Sequence, residues 1–230
     1  MFKKEKIKAL LFDMDGVLVD VSRSYRQAIN NTVEFFSGKE VFFEEIQKFK
    51  EKGGLNNDWK LTQAILISRG FDIDFKRIVE KFQEFYLGRN FDGLILNEEW
   101  LMPLDLLEQL AKKFKLGIFT GRPRNEALFA LQKSGVLKFF SEIVCMDDIP
   151  EGKSKPNPFG LKLLLKKLNS RNGIYFGDTV DDMQSAFRAG IEGIGVIPPN
   201  CQSRNLKGLL LQNNASTVLE NISALQEVVL

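Results

Sequence analysis

The chain has 230 residues, a formal net charge of +2 and 44% hydrophobic residues, enough for one large domain or a core with a smaller insert. Basic and acidic residues are interleaved, so nucleic-acid binding is not expected. The absence of histidine excludes histidine-dependent nucleophilic catalysis and histidine-ligated zinc. No signal-peptide pattern and no bilayer-length apolar run is found, which predicts a cytoplasmic protein with no membrane partner.

The first predicted element is a short buried strand at residues 7–12 that ends in two carboxylates and a glycine. Apolar residues on both pleat faces indicate a central parallel strand, and ligands gather at the carboxyl ends of such strands. Asp13 and Asp15 therefore stand where chemistry is expected. Two close carboxylates repel each other, and a hard divalent cation such as Mg²⁺ would relieve that repulsion. The alternative is an ordinary turn that contains aspartate and glycine.

In the next segment the spacing of apolar residues is typical of helices rather than strands. Apolar spacing predicts helices at residues 25–37, 43–52, 59–69 and 75–86, with Asp58 and Asp74 as N-caps of the last two. Four helices without a convincing strand between them predict an all-helical insert at residues 20–97.

Strand and helix then alternate to the end of the chain. Strands are predicted at 116–119, 142–145, 173–176 and 193–197, and helices at 103–114, 125–134, 159–168 and 179–189. The tail is predicted to hold a short strand at 209–211 and a helix at 216–226. This alternation predicts an α/β fold with a Rossmann-like parallel sheet, helices on both faces, and a core formed by residues 1–19 and 98–230.

Four polar segments follow strands of this sheet. In order they carry a carboxylate pair, a hydroxyl, a cation and an acidic pair: Asp13-Met14-Asp15-Gly16-Val17, Thr120-Gly121, Lys155-Pro156 and Gly177-Asp178-Thr179-Val180-Asp181-Asp182. This set resembles the four motifs of the haloacid-dehalogenase-like (HAD) hydrolase superfamily. The resemblance covers the whole chain, since the helical insert stands where the family has its helical cap, and it is closest to the phosphoglycolate-phosphatase-like branch.

The resemblance implies a role for each motif residue. Asp13 would attack phosphorus and form an aspartyl-phosphate, and Asp15 would serve as general acid and base. Thr120 and Gly121 would hold phosphoryl oxygens, and Lys155 would offset the charge on Asp13 and on the phosphoryl group. For Thr120 the alternative is a helix N-cap, and for Lys155 it is a solvated loop lysine like Lys153.

The resemblance also implies a magnesium site. Asp13, Asp178 and the backbone carbonyl of Asp15 would be ligands, with phosphate and water completing an octahedron of oxygens. Asp182, one helical turn after Asp178, would bind through water or hold the ligands in place. At this spacing Asp181 is expected to point away from the metal site. We interpret it as a residue that interacts favourably with the helix N-terminus.

Substrate contacts beyond the phosphoryl group are predicted in two places. The glycine-rich turn at 52–59 could supply Lys52, Asn56 and Asn57, or it could be a plain connector between helices. Arg122 could reach substrate or pair with a carboxylate. Cys145 is predicted to be a buried apolar residue rather than a reactive thiol.

The resulting hypothesis is a Mg²⁺-dependent phosphatase that acts on a small phosphorylated metabolite, as a monomer or a homodimer. One alternative is a phosphomutase of the beta-phosphoglucomutase type, which the absence of the hinge histidine of that branch disfavours. The other is a non-catalytic phosphate-sensing or partner-binding relative that kept the fold. The complete set of motif residues disfavours that alternative. A receiver domain would be shorter and would lack the insert.

Overall fold

A computed structural model describes residues 8–55, 57–201 and 203–229 of the chain. Within them, six parallel strands form one sheet in the order β5-β4-β1-β6-β7-β8, and β2 and β3 form a small antiparallel pair. The strands are β1 (Ala9–Phe12), β2 (Val19–Asp20), β3 (Glu99–Trp100), β4 (Lys115–Phe119), β5 (Glu142–Val144), β6 (Ile174–Gly177), β7 (Glu192–Val196) and β8 (Ala215–Leu219).

The helices cover both faces of the sheet and fill the insert. They are α1 (Tyr25–Ser37), α2 (Phe43–Glu51), α3 (Asp58–Ser68), α4 (Phe75–Tyr86), α5 (Leu104–Lys113), α6 (Arg124–Lys133), α7 (Phe159–Lys167), α8 (Val180–Ala189), α9 (Leu206–Gln212) and α10 (Gln226–Val229). Short 3₁₀ turns stand at Leu94–Asn97, Leu137–Phe139, Met146–Asp148 and Ile222–Leu225. No helix of the described residues is long and apolar enough to cross a bilayer.

The central strand explains the two-sided core. In β1, Leu10 and Phe12 pack into one hydrophobic cluster while Ala9 and Leu11 pack into another on the opposite face. Successive side chains of a strand point to opposite faces, so a strand that is apolar at every position must be covered on both. The predicted α/β class with a central first strand is confirmed.

The insert between β2 and β3 is helical, as predicted. Helix α1 packs against α3 and α4, and Gly38 ends α1 in the left-handed conformation with φ 70°. Asp74 caps α4 as predicted, accepting a hydrogen bond from the Arg77 backbone N–H. The predicted cap of α3 was wrong by one residue: Asn57 accepts from the Lys60 backbone N–H, and Asp58 is the first helical residue. The cap-domain boundaries at 20 and 97 stay a prediction.

The tail was predicted wrongly. The segment at 209–211 lies in helix α9, and most of the predicted helix at 216–226 is strand β8 followed by a 3₁₀ turn. Leu206 and Leu210 are four residues apart and bury one helix face, while Thr217 and Val218 are β-branched and suit a strand. Pairing of β8 with β7 decides the outcome. The predicted start of β1 at residue 7 lies outside the described residues.

Candidate active site

Three strand ends bring the motif residues together. Asp13 follows β1, Thr120 follows β4 and Asp178 follows β6. Since β4 and β6 are the two neighbours of β1, these residues lie at one edge of the sheet. Lys155 comes from the loop between β5 and α7 and reaches the same edge, its ammonium 2.8 Å from Asp13 Oδ1. The four motifs predicted from the sequence therefore meet at one place.

Lys155 and Asp182 form the buried base of this site. Lys155 Nζ also lies 2.8 Å from Asp182 Oδ1. Asp182 accepts further hydrogen bonds from the Tyr175 hydroxyl at 2.8 Å and the Thr179 hydroxyl at 2.6 Å. Thr179 is also the predicted N-cap of α8, and it forms a reciprocal capping box with Asp182. The N-cap hydrogen bonds hold the Asp182 side chain in place, and Asp182 in turn holds the Lys155 ammonium beside Asp13.

The carboxylates of the site differ in their pKa. Burial and the charges of Asp182 and Asp15 raise the pKa of Asp13 to about 7, although Lys155 acts in the opposite direction. Burial and the charges of Asp182 and Asp13 raise the pKa of Asp178 well above its ordinary value. Burial acts to raise the pKa of Asp182, but Lys155 and the hydroxyl donors lower it overall. Asp13 and Asp178 are the two carboxylates of this group that protein cations do not adequately neutralise.

The donor set fits a hard divalent cation. Carboxylate oxygens of Asp13, Asp178 and Asp182 lie within 4.8 Å of one another. Gly16, with φ +75°, leaves room beside them, because a Cβ there would stand 2.4 Å from Asp178 Oδ2. The oxygens of Asp182 already accept from three side chains, so it suits the indirect role predicted for it. Ligation by the Asp15 carbonyl stays a prediction.

Thr120 and Gly121 form the wall opposite Asp178. Thr120 is fully buried, and its hydroxyl accepts a hydrogen bond from the Arg122 backbone N–H at 3.1 Å. The N-cap position of α6 belongs to Pro123, which rules out the alternative interpretation of Thr120 as that cap. The Thr120 hydroxyl can still donate its own hydrogen, and Gly121 lines the cleft above Asp13.

Arg122 pairs with carboxylates, the alternative that the sequence left open. Its guanidinium reaches Asp15 and Glu98. Glu98 was not singled out from the sequence, because it stands beside Glu99 and reads as part of a solvated acidic pair. In the structure Glu98 is buried while the Glu99 side chain is exposed. Contact of Arg122 with substrate stays a prediction.

Helices of the insert close the cleft over Asp13. Lys50 and Asp58 pair at 3.0 Å, Arg26 donates to Gln47 at 3.0 Å, and Trp59 adds an aromatic wall. The cavity left between these groups and the strand ends has a volume of about 40 Å³, and a second cavity of about 290 Å³, lined by Thr120 and Lys155, adjoins it at Gly121. Periodicity could not identify these residues, because they face the cleft only through the placement of the insert on the sheet.

The three residues singled out in the turn at 52–59 differ in their placement. Asn57 lines the cleft, but its side chain is used to cap α3. Lys52 is exposed, with its ammonium 4.8 Å from the Phe49 ring, and is not among the described residues that line the cleft. Asn56 lies outside the described residues. Contact of this turn with substrate stays a prediction.

Asp181 joins the insert to the core. Both of its oxygens accept from the Gly54 backbone N–H, at 2.9 and 3.0 Å. Asp181 is not part of the group that Asp13, Asp178 and Asp182 form among the described residues, and it lies in the first turn of α8 with the Gly54 backbone N–H as its partner. Cys145 is buried as predicted, and burial raises the pKa of its thiol to about 12.

Comparison with known proteins identifies one family. Residues 10–196 match the family model of haloacid dehalogenase-like hydrolases. This range contains all four motifs and the helical insert.

Individual relatives cover nearly the whole chain. An imidazoleglycerol-phosphate dehydratase from Phytophthora nicotianae is 34% identical over 95% of this chain, which spans only 49% of that protein's length. A phosphoglycolate phosphatase from Vibrio parahaemolyticus is 26% identical over 98% of this chain and 97% of its own length. The solved structure of phosphatase Tt82 from Thermococcus thioreducens is 26% identical, with a TM-score of 0.65 over 88% of this chain and 99% of that one.

Proposed function

Because the chain belongs to the haloacid dehalogenase-like hydrolase family, we propose that it is a Mg²⁺-dependent phosphatase that hydrolyses a small phosphorylated metabolite through an aspartyl-phosphate. One observation carries the proposal. Asp13 stands at the end of the central strand, 2.8 Å from a buried lysine and within 4.8 Å of two further carboxylates. A nucleophilic carboxylate held beside a fixed positive charge suits phosphoryl transfer, whose catalysis is mostly positioning and charge stabilisation.

The chemistry divides into two displacements. Asp13 attacks phosphorus, the bond to the ester oxygen breaks, and Asp15 protonates the departing alcohol. Asp15 then takes a proton from water as that water attacks the phosphorus of the aspartyl-phosphate. Inorganic phosphate leaves, and Asp13 is restored. Asp13 must be ionised to attack, and Lys155 favours that form.

Thr120, Gly121 and Lys155 handle the charge on the transferred group. The Thr120 hydroxyl and the Gly121 backbone N–H would donate to phosphoryl oxygens, and Lys155 would supply positive charge from below. A bound Mg²⁺ would neutralise phosphoryl charge, with Asp13 and Asp178 as its protein ligands. These parts act on the phosphoryl group that every phosphate ester shares.

The size of the cleft supports a small substrate. The cavity of about 40 Å³ over Asp15 holds only a few waters and the adjoining one of about 290 Å³ has room for a small group, so a small phosphate ester enters with the least movement of the insert. Closure then excludes water from the first displacement. A bulky phosphoprotein would not fit beneath helices that close this tightly.

One relative suggests a leaving group. The dehydratase from Phytophthora nicotianae is named for imidazoleglycerol phosphate, and this chain matches only part of that protein. An alkyl phosphate with an imidazole ring is therefore a candidate substrate beside phosphoglycolate, the substrate in the name of the Vibrio relative. Asp20, Asp58 and Trp59 in the cleft could bind a protonated nitrogen and stack on a ring, whereas Arg26 and Lys50 could bind a carboxylate.

A substrate panel tests the proposed function. We expect purified protein with Mg²⁺ to release inorganic phosphate from a small phosphate monoester, with kcat/KM for the preferred ester at least about tenfold above that for p-nitrophenyl phosphate. The panel should include phosphoglycolate, imidazole-bearing alkyl phosphates, sugar phosphates and pyrophosphate. Isomerised sugar phosphate without phosphate release would indicate the phosphomutase alternative. Phosphate binding without turnover of any ester would indicate the non-catalytic one.

Metal binding gives a prediction independent of activity. We expect saturating Mg²⁺ to raise the Tm of metal-free protein by about 5–10 °C near pH 8, and much less near pH 5.5. The sign follows from Asp13: its folded-state pKa is raised to about 7, so protons compete with the metal below that pH and not above it. Thermal unfolding measured with Mg²⁺ or EDTA at both pH values checks this.

Two variants test which aspartate binds the metal. Asp178→Asn should lose most of the Mg²⁺-dependent shift, whereas Asp181→Asn, three residues on and bonded to Gly54, should keep it. An equal shift in wild type and Asp178→Asn would contradict the assigned ligands.

Location in the cell, oligomeric state and the lack of nucleic-acid binding stay predictions.

A further inference from the structure

Arg122 is buried between two carboxylates from different parts of the chain. Its Nε and Nη2 donate to Asp15 Oδ1 at 2.7 and 2.5 Å, and its Nη1 and Nη2 donate to the two oxygens of Glu98 at 2.9 and 3.0 Å. The residue is 1% exposed. A planar guanidinium can bridge two acceptors in a fixed geometry, which the single ammonium of lysine cannot do.

Glu98 is in turn held by the helical insert. Its Oε1 accepts from the Ser24 hydroxyl at 2.9 Å and from the Tyr86 hydroxyl at 3.0 Å. Ser24 immediately precedes α1, and Tyr86 ends α4. The Tyr25 ring lies 4.9 Å from the guanidinium carbon and closes one face of Arg122. The orientation of Arg122 is therefore fixed by groups outside the phosphoryl-binding motifs.

The contact with Asp15 uses only one of its two oxygens. Both bonds from Arg122 end on Oδ1, and in the described part of the chain no hydrogen bond to Oδ2 is found. Asp15 lines the cleft, and its side chain keeps 23% of its surface exposed. One oxygen is thus anchored and the other is left for proton exchange with substrate.

We propose that Arg122 is a positioning residue for Asp15, that Glu98 anchors Arg122, and that this pair aims the Asp15 carboxyl at the leaving oxygen. The inference rests on the proposed phosphatase function. A general acid has to lie within hydrogen-bond reach of the atom that it protonates, so a loop carboxylate gains from an anchor. Because Ser24 and Tyr86 belong to the insert, the orientation of the Asp15 carboxyl depends on the insert being closed over the core.

The leaving group of the substrate provides the readout. An alkoxide leaves poorly without a proton, whereas p-nitrophenolate leaves well without one. Loss of a positioned general acid therefore lowers kcat/KM selectively for alkyl phosphates, whereas loss of the general base slows the second displacement of both esters alike. General acid catalysis is typically worth roughly 100- to 10,000-fold, so the selective effect should be large. A residue needed only for stability would lower kcat/KM for both esters together.

The experiment compares Arg122→Lys with wild type on an alkyl phosphate and on p-nitrophenyl phosphate. We expect kcat/KM, which reports the steps up to departure of the alcohol, to fall about 100-fold for the alkyl ester and less than about threefold for the aryl ester. The attack of water, in which Asp15 is the base, is the same for both esters and enters only kcat. The matched control is Arg124→Lys. Arg124 lies two residues on, pairs with Asp148 and does not touch Asp15, so its replacement should leave both kcat/KM values within about twofold of wild type.

A double variant tests whether Arg122 acts through Asp15. If Arg122 acts through Asp15, Asp15→Asn/Arg122→Lys should be no slower on the alkyl ester than Asp15→Asn alone. Multiplied losses of kcat/KM in the double variant, or equal losses of kcat/KM on the two esters in Arg122→Lys, would overturn the inference. Wild-type release of phosphate from any ester of the panel tests the phosphatase function itself, and turnover of none of them would overturn both conclusions.

Glu98→Gln covers the case in which Arg122→Lys does not fold. The amide keeps the shape of Glu98 but removes the charge that holds Arg122, so kcat/KM for the alkyl ester should fall about tenfold while kcat/KM for the aryl ester stays nearly unchanged. Thermal unfolding accompanies each assay to show that the variant is folded. An unchanged ratio of the two rates in folded Glu98→Gln would overturn the role of Glu98 as the anchor.

Discussion

Asp13→Asn is expected to abolish turnover and to leave the fold intact. Asparagine has the shape of aspartate but not its nucleophilic charge, so no aspartyl-phosphate can form. We expect kcat to fall at least about 10,000-fold, the scale seen when a covalent nucleophile is removed. Phosphate release from the preferred ester, and the absence of a phosphorylated enzyme species by mass spectrometry, are the measurements.

The stability of this variant has a predictable sign. The folded-state pKa of Asp13 is raised to about 7, so ionising it costs folding free energy as pH rises through the range between its ordinary value and 7. Asparagine has no such cost. Metal-free Asp13→Asn should therefore match or exceed the wild-type Tm near pH 8, while the difference shrinks near pH 4.

Asp181→Asn is the matched control for Asp13→Asn. It lies in the same acidic neighbourhood, keeps an acceptor for Gly54, and should retain activity within about tenfold of wild type. More than a trace of turnover by Asp13→Asn, in a preparation free of other phosphatases, would refute the covalent mechanism.

The meeting of the motifs was predictable because topology alone determines it. Parallel strands end at the same edge, so carboxylates after β1 and β6 and a hydroxyl after β4 had to become neighbours once strand and helix alternated. Local capping chemistry was equally visible, as Asp74 and Thr179 show, because a capping side chain bonds to a backbone N–H within its own turn.

The bond between Arg122 and Glu98 was not predictable. Glu98 precedes the two-residue strand β3, and only the pairing of β3 with β2 carries it to the strand end of β4. Arg26 and Lys50 were missed for a related reason. Helical periodicity tells which face of a helix is apolar, but not which charged residue at its margin will overhang a distant strand end.

The tail shows how local patterns mislead. The leucines around Leu210 suit a strand or a helix, and their four-residue spacing with Leu206 becomes decisive only when the helix packs on β7 and β8. Strand β8 is an edge strand of five residues whose pairing partner is more than twenty residues earlier in the sequence. Pairing with β7, together with the β-branched residues of the segment, makes it a strand and not the predicted helix.

Lys155→Met is expected to have the second large effect, on activity and on stability together. Lys155 is 6% exposed and lies 2.8 Å from both Asp13 and Asp182. Its removal deletes the fixed positive charge beside the transferred phosphoryl group, which should lower kcat/KM about 1,000-fold. The matched control is Lys153→Met on the same loop, where the side chain is exposed, and its kcat/KM should stay within about twofold of wild type.

The stability effect of Lys155→Met follows from the charges it leaves behind. Burial alone would lower the pKa of Lys155, but Asp13 and Asp182 raise it above its ordinary value, so its stabilising charge is fully present below pH 10. Without the lysine, buried Asp13 and Asp182 repel each other and Asp178, a loss of about 3–5 kcal/mol for the metal-free protein near pH 8. Near pH 5 the carboxylates can take up protons, so the loss should shrink. Denaturant unfolding of both lysine variants at the two pH values tests this, and an equal loss in Lys153→Met, or none in Lys155→Met, would place the structural charge of this loop elsewhere.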